Sequence, residues 1–237
     1  MERIIKRGLT SNELKIIAIS CMLFQHIAIT LLDCSSVLGQ ILYQSGRLTA
    51  PIICFFVAEG YYHTSNLKKY GLRLFGAAVI SHIPHALAFG FDPLDVLHAT
   101  SIMWPLLLGL IALAVCKDAR FPKWSKWVIS ILCCVFAYPG NFNCIAVLWI
   151  LAFGLFRGDK LRQTLAFSLV TLLYFLECFV ICSTGCPYFR FLTLAALPLI
   201  YLYNGKRGKN SCFIKYGFYG FYPAHLLVLY ALRILLK

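Results

Sequence analysis

The chain has 237 residues, 60% of them hydrophobic and only 13% charged, with a mean hydropathy of +0.78. Successive apolar runs of about 15 to 20 residues exclude an ordinary soluble domain and describe a helical protein in which lipid replaces a conventional core. The net charge of +13 sits in the connections between those runs, so it argues for membrane topology and against nucleic-acid binding.

MERIIKRG followed by an apolar run imitates a secretory signal. The run from Leu14 to Leu32 is longer than the usual apolar region of about 7 to 15 residues, contains His26, and lacks a small-x-small cleavage site, so it is expected to stay attached. Asp33 within LLDC (Leu31 to Cys34) opposes lipidation, since a small residue is needed there. Thr10 followed by Glu13 reads as a capping box and predicts a helix from about Ser11. Span 1 then covers about Glu13 to Leu32, span 2 Ile41 to Tyr62, span 3 Tyr70 to Phe89, span 4 Ser101 to Cys116 and span 5 Trp124 to Tyr138. Span 6 follows at Cys144 to Phe156, span 7 at Leu161 to Cys182, span 8 at Phe189 to Tyr203 and span 9 at Phe213 to Leu236. The expected fold is all-α, a polytopic transmembrane helical bundle of about nine spans in a single membrane domain, residues 1–237.

Lys and Arg gather at the N-terminus (Arg3, Lys6, Arg7, Lys15) and in every second connection, around Lys68, Lys117, Arg157 and Lys206. The intervening connections carry Asp33, Asp92 and Asp95. By the positive-inside rule the N-terminus is cytoplasmic and the chain a multi-pass protein of the cell's inner membrane. Eleven cysteines without a CxxC pair suggest packing rather than disulfides or zinc. Cys178, Cys182 and Cys186 recur every fourth residue, so a thiolate face is the alternative there. No internal repeat supports an inverted-repeat transporter.

The polar residues inside the spans carry the functional signal. GRLTAPIICFFVAEGYYHT (Gly46 to Thr64) holds Arg47, Glu59 and His63, and Pro51 is expected to kink it. Counting along each span puts His26, His82, His85 and His225 between about 15 and 22 Å from the cytoplasmic side, with Arg47 at about 20 Å. Groups at one depth suggest a shared cavity. A buried imidazole favours its neutral form, which can accept a proton, and an Arg beside it binds an anion or a developing oxyanion. The plainer readings are core histidines bonded to carbonyls, and an ion pair of Arg47 with Glu177. Glu59 and His63, one turn apart, are expected to bond to each other. His82 and His85 with His26 or His225 would be a metal set, but no carboxylate or cysteine completes it, so no metal is expected.

LKIIAISCMLFQHIAITLL, GRLTAPIICFFVAEGYYHT, YNGKRG (Tyr203 to Gly208) and FYPAHLLVLY (Phe221 to Tyr230) together resemble the TraX family, named for the F-pilin N-acetyltransferase of conjugation systems. The resemblance spans most of the chain in the same order. It implies acetyl transfer from acetyl-CoA to an amine or hydroxyl of a membrane-presented acceptor: a pilin-like amino terminus, another peptide or a glycan. Carried over by position, His26 is the catalytic base, Arg47 the anion or oxyanion contact and His225 a second catalytic residue. Glu59, His63, His82, His85 and Tyr222 would then line the substrate site. The loop Asn204, Gly205, Lys206, Arg207 and Gly208 would hold the phosphates of acetyl-CoA, for which two glycines flanking two cations are independently suited. Two positions depart from the family's pattern: Gln25 stands where an Asp usually precedes the histidine, and His82 where an acidic residue is expected. The same polar layer would also serve a proton-coupled transporter or flippase, and the whole chain a non-catalytic scaffold for pilus assembly.

Overall fold

The computed structural model describes residues 8–33, 36–96, 99–181, 187–209 and 212–236. Arg3, Lys6, Arg7, Cys34, Cys182 and Cys186 lie outside the described residues, and with them most of the expected thiolate face. The elements are α1 (Ser11–Leu31), α2 (Val37–Ser45), α3 (Thr49–His63), α4 (Leu67–Phe89), α5 (Met103–Lys117) and α6 (Lys123–Phe136). There follow α7 (Asn143–Leu155), α8 (Lys160–Ile181), α9 (Ala196–Tyr201) and α10 (Cys212–Leu235). Tight 3-10 segments at Gly46–Leu48 and Pro187–Ala195 lead into α3 and α9. Among the described residues, extended pairing is limited to isolated bridges, so the protein is an all-α polytopic membrane bundle.

Among the described residues five stretches are long and apolar enough to cross a bilayer: Ser11–Leu31, Val37–His63 counted through its 3-10 turn, Leu67–Phe89, Lys160–Phe179 and Tyr216–Leu235. Met103–Lys117 and Asn143–Leu155 are shorter apolar helices, as is Tyr188–Tyr201. At 1.5 Å per residue a 15-residue helix reaches only about 22 Å, short of a hydrocarbon core of about 30 Å. Length therefore supports five crossings, and the count of nine and the side of the N-terminus stay expectations.

The chain divides into two compact units, Met1–Ile53 with Tyr188–Lys237, and Cys54–Pro187. In the first, α1 begins at the predicted residue. The Thr10 N–H donates to Glu13 Oε2 at 2.7 Å and the Glu13 N–H to Thr10 Oγ1 at 3.4 Å, satisfying two donors that the helix itself leaves open. Leu14, Ala18, Met22 and His26 recur every fourth residue and form its buried stripe. On α10, Tyr222, His225, Leu226 and Leu229 form the corresponding buried face.

The second crossing is not kinked at Pro51. The helix breaks upstream, at Gly46–Leu48, and Pro51 falls in the first turn of α3, where its missing N–H has no intrahelical partner to lose. Gly46 lies so close to Gln25 of α1 that an added Cβ would overlap the glutamine side chain. Beside it Ser45 Oγ reaches the Cys21 carbonyl of α1 at 3.3 Å, and Thr49 Oγ1 donates to the Ala18 carbonyl of α1 at 2.9 Å. Hydroxyls thus tie the break to α1.

In the second unit α7 is the centre. Residues Ile145 to Val147 and Trp149 to Gly154 are buried, the all-round apolar pattern of a helix enclosed by protein, which its shortness permits. Gly154 admits Leu113 of α5, and Gly109 of α5 admits Ile150 in return, so small residues bring the two helices close. Trp149, Phe153 and Phe167 of α8 complete the core, with ring centroids 5.0 to 5.7 Å apart.

Candidate functional site

His26 and His225 are joined directly. His26 Nδ1 lies 2.7 Å from His225 Nε2, both side chains are buried, and the ring planes differ by 1° with centroids 5.0 Å apart. Those values describe two coplanar rings meeting edge to edge, not stacked faces. The other nitrogen of His225, Nδ1, is 2.7 Å from the Phe221 carbonyl, one turn back on α10. A carbonyl only accepts, so Nδ1 carries the proton and the Nε2 of a neutral His225 is an acceptor. His26 therefore donates through Nδ1, and its Nε2 holds the lone pair. The proton positions follow from the partners. The Phe221 carbonyl, His225 and His26 thus stand in one hydrogen-bonded line.

Tyr222 packs against both rings, 6.3 Å from His26 and 5.7 Å from His225 between centroids, and Phe221 lies nearly parallel to His225 at 4.8 Å. Thr30 Oγ1 donates to the His26 carbonyl at 2.7 Å. Aromatic walls around the pair keep its rings in one plane.

Arg47 sits in the 3-10 turn, half-buried, with Nε donating to Gln44 Oε1 at 3.3 Å and its guanidinium 5.5 Å from the Tyr43 ring. The residue before it, Gly46, abuts Gln25, the residue before His26. Gln25 occupies the position where the resemblance expects Asp, and here it is a packing residue at the helix break.

Glu59 and His63 are bonded as their spacing predicts, with His63 Nε2 at 3.2 Å from Glu59 Oε2. Sequence reading missed their third member. Arg157 Nε donates to Glu59 Oε1 at 2.6 Å and Nη2 to Oε2 at 3.1 Å, while its guanidinium lies 4.7 Å from the Tyr62 ring. Tyr62 is fixed in turn by donating its hydroxyl to the Gly154 carbonyl at 2.5 Å. A second cation, Lys117 Nζ, is 5.9 Å from the same ring. Glu177 accepts from Asn143 Nδ2 at 2.5 Å, another partner that the sequence did not point to.

His82 Nε2 donates to the Pro93 carbonyl at 2.9 Å. His85, 4% exposed, lies against Phe89 and Phe91 at 4.9 and 5.9 Å, and its Nδ1 has no hydrogen-bond partner among the described residues. Among those residues no three His, Cys, Asp or Glu side chains gather at metal-binding range.

The loop Tyr203–Gly208 is clipped to the start of α1. The Leu9 N–H donates to the Leu202 carbonyl at 2.6 Å and the Asn204 N–H to the Leu9 carbonyl at 2.9 Å. Ser11 and Asn12, in the first turn of α1, donate their N–H groups to the carbonyls of Lys206 and Arg207 at 2.9 and 3.2 Å, and Asn12 Nδ2 reaches the Lys209 carbonyl at 2.7 Å. Gly208, at φ +86°, passes close to Thr10 and Asn12 and requires the left-handed conformation. The loop carbonyls thus turn inward, leaving Gly205, Lys206 and Arg207 exposed, with open space above Gly205. Two outward cations beside an uncovered backbone fit a phosphate-bearing group.

The sequence profile of the family described as TraX protein matches residues 10–233. A probable fimbrial assembly protein, FimC of serogroup H1 from Dichelobacter nodosus, is 27% identical over 236 residues, covering 95% of this chain and 96% of its own length. No solved structure matches.

Proposed function

This chain belongs to the TraX family, and from that premise we propose that it transfers an acetyl group from acetyl-CoA to an amine or hydroxyl of an acceptor presented at the membrane. The relative's role in fimbrial assembly favours a pilin-like subunit as that acceptor. One observation carries the reading: the line from the Phe221 carbonyl through His225 to His26, which leaves a buried imidazole with its Nε2 lone pair unprotonated.

Acetyl-CoA supplies an activated thioester. His26 Nε2 takes the N–H or O–H proton of the acceptor as its nitrogen or oxygen bonds to the acetyl carbon. The same proton passes from the imidazolium to the departing sulfur as the C–S bond breaks, so the pair ends as it began. His225 supports the charge that His26 acquires, because its Nε2 accepts from His26 Nδ1 and its own Nδ1 is anchored on Phe221. Arg47 offers a guanidinium for the carbonyl oxygen or for a carboxylate. Lys206 and Arg207 would hold the donor's phosphates. With the N-terminus cytoplasmic, their loop would lie on the side where acetyl-CoA is found, since it is clipped to the first turn of α1.

The test is transfer of labelled acetyl from acetyl-CoA by the purified full chain, with and without a pilin-like peptide. Loss of transfer in a well-expressed His26→Ala variant supports the reading, and undiminished transfer overturns it. The relative's name also favours a second reading, assembly without chemistry. It predicts normal pilus assembly in the same His26→Ala variant and no acetylated subunit in the wild type.

A further inference from the structure

The second unit contains a groove of about 760 Å³ between α6, α7 and α8. Its walls are Ile131 and Val135 of α6 facing Leu148, Leu151 and Leu155 of α7. Ile131 and Val135 are 60% and 61% exposed, so α6 turns a large apolar face outward instead of closing on its neighbours. The two ends differ in charge. Lys123 and Lys126 stand at one end, where α6 begins and α5 finishes. Lys126 Nζ uses one of its donors on the Cys116 carbonyl at 2.9 Å, and Lys123 is exposed. Glu177, held by Asn143, stands at the other end. From Lys123 to Val135 the groove runs along about 18 Å of helix, at 1.5 Å per residue.

We infer that this groove is a binding site for one anionic phospholipid, its phosphate between Lys123 and Lys126 and an acyl chain along the leucine floor toward Glu177. The polarity of the groove fixes the orientation, since an anionic headgroup is attracted to the lysine end and repelled by the carboxylate end. A phospholipid with a neutral headgroup gains the same apolar contact but less from the lysines. The lining also disfavours a transmembrane helix as occupant: helices pack in lipid through small residues that let backbones approach, whereas Trp127, Ile131 and Leu148 are large. A flexible chain fills such an irregular surface better.

The experiment uses the full chain in detergent, with phosphatidylglycerol and phosphatidylcholine of matched acyl chains, and counts retained lipid by native mass spectrometry. The expected result is one retained phosphatidylglycerol, favoured over phosphatidylcholine, with affinity falling about fivefold in Lys123→Ala. Leu148→Trp, which fills the groove, removes retention while the protein still elutes as a folded species. Equal retention of the two lipids overturns the proposal, as does phosphatidylglycerol binding indifferent to Leu148→Trp. Capture of an apolar helical peptide, blocked by Leu148→Trp and without lipid preference, also overturns it and gives the groove to a helix.

Discussion

Glu59 grips Arg157 through both carboxylate oxygens, at 2.6 and 3.1 Å, across 98 residues of chain. Glu59 is 11% exposed and Arg157 40% at the side chain. Removing one partner of a fully buried pair costs about 3–5 kcal/mol, because the remaining charge is stranded, and the solvent at Arg157 reduces that. Arg157→Ala is therefore expected to lower stability by about 1–3 kcal/mol. Denaturant unfolding in detergent checks this, and adding Glu59→Gln should recover part of the loss, since it removes the stranded charge.

Gly46 and Gln25 make a second coupled pair. Gly46→Ala places a methyl group where Gln25 lies, and overpacking of this kind costs about 1–3 kcal/mol. The double variant Gln25→Ala/Gly46→Ala should be more stable than Gly46→Ala alone. Equal melting temperatures for the two would show that the contact does not strain the turn.

For the histidine pair the readout is acetyl transfer. Loss of a general base costs about 10²–10⁴ in rate, the expectation for His26→Ala. His225→Gln keeps an oxygen acceptor within reach of His26 Nδ1, so it should retain more activity than His225→Ala. Equal rates for the two His225 variants would argue that holding the tautomer is not its role.

Gly208→Ala adds a Cβ 3.1 Å from Thr10 Oγ1 and 3.2 Å from Asn12 Nδ2, at a φ of +86°. A left-handed non-glycine residue costs roughly 1–2 kcal/mol. The clip should loosen first, so hydrogen exchange at the Ser11 and Asn12 amides is expected to quicken before the rest of α1 responds.

In the turn after α5, Arg120 bonds the Asp118 carboxylate through Nε and Nη2, and its backbone N–H adds a third bond, which together hold the acid down at about 2. A depressed carboxyl contributes stability that is present above the ordinary aspartate range and is lost as pH falls toward 2. Arg120 is open to solvent and the pair lies at the surface, so its effect is local. Carboxyl-carbon NMR should show a midpoint well below 3.8 that returns toward that value in Arg120→Ala.

Local signals were readable from the chain, and distant ones were not. Thr10 and Glu13 announce where α1 starts because a capping box needs only three residues of spacing. Glu59 and His63 meet because one helical turn separates them. Arg157, by contrast, is one basic residue among many in connections, and nothing nearby marks it as the partner of Glu59. The break at Gly46–Leu48 was misplaced onto Pro51, since proline is the visible helix breaker while the side chain that demands the break belongs to another helix. His26 and His225 were singled out by their common depth inside apolar spans, yet their edge-to-edge bond and its anchor on Phe221 depend on how α1 and α10 are rotated, which composition does not encode.

The bridge of Leu9 to Tyr203 has a bearing on biosynthesis. The carbonyls that quench the leading amides of α1 belong to residues translated long after that helix has left the ribosome. At about 5–20 residues per second, α1 waits on the order of ten seconds or more for that seal, while Cys54–Pro187 is synthesised as one uninterrupted stretch. A nascent chain arrested before Tyr203 should thus hold a finished inner segment and an unsealed beginning, the state in which membrane quality control would meet it.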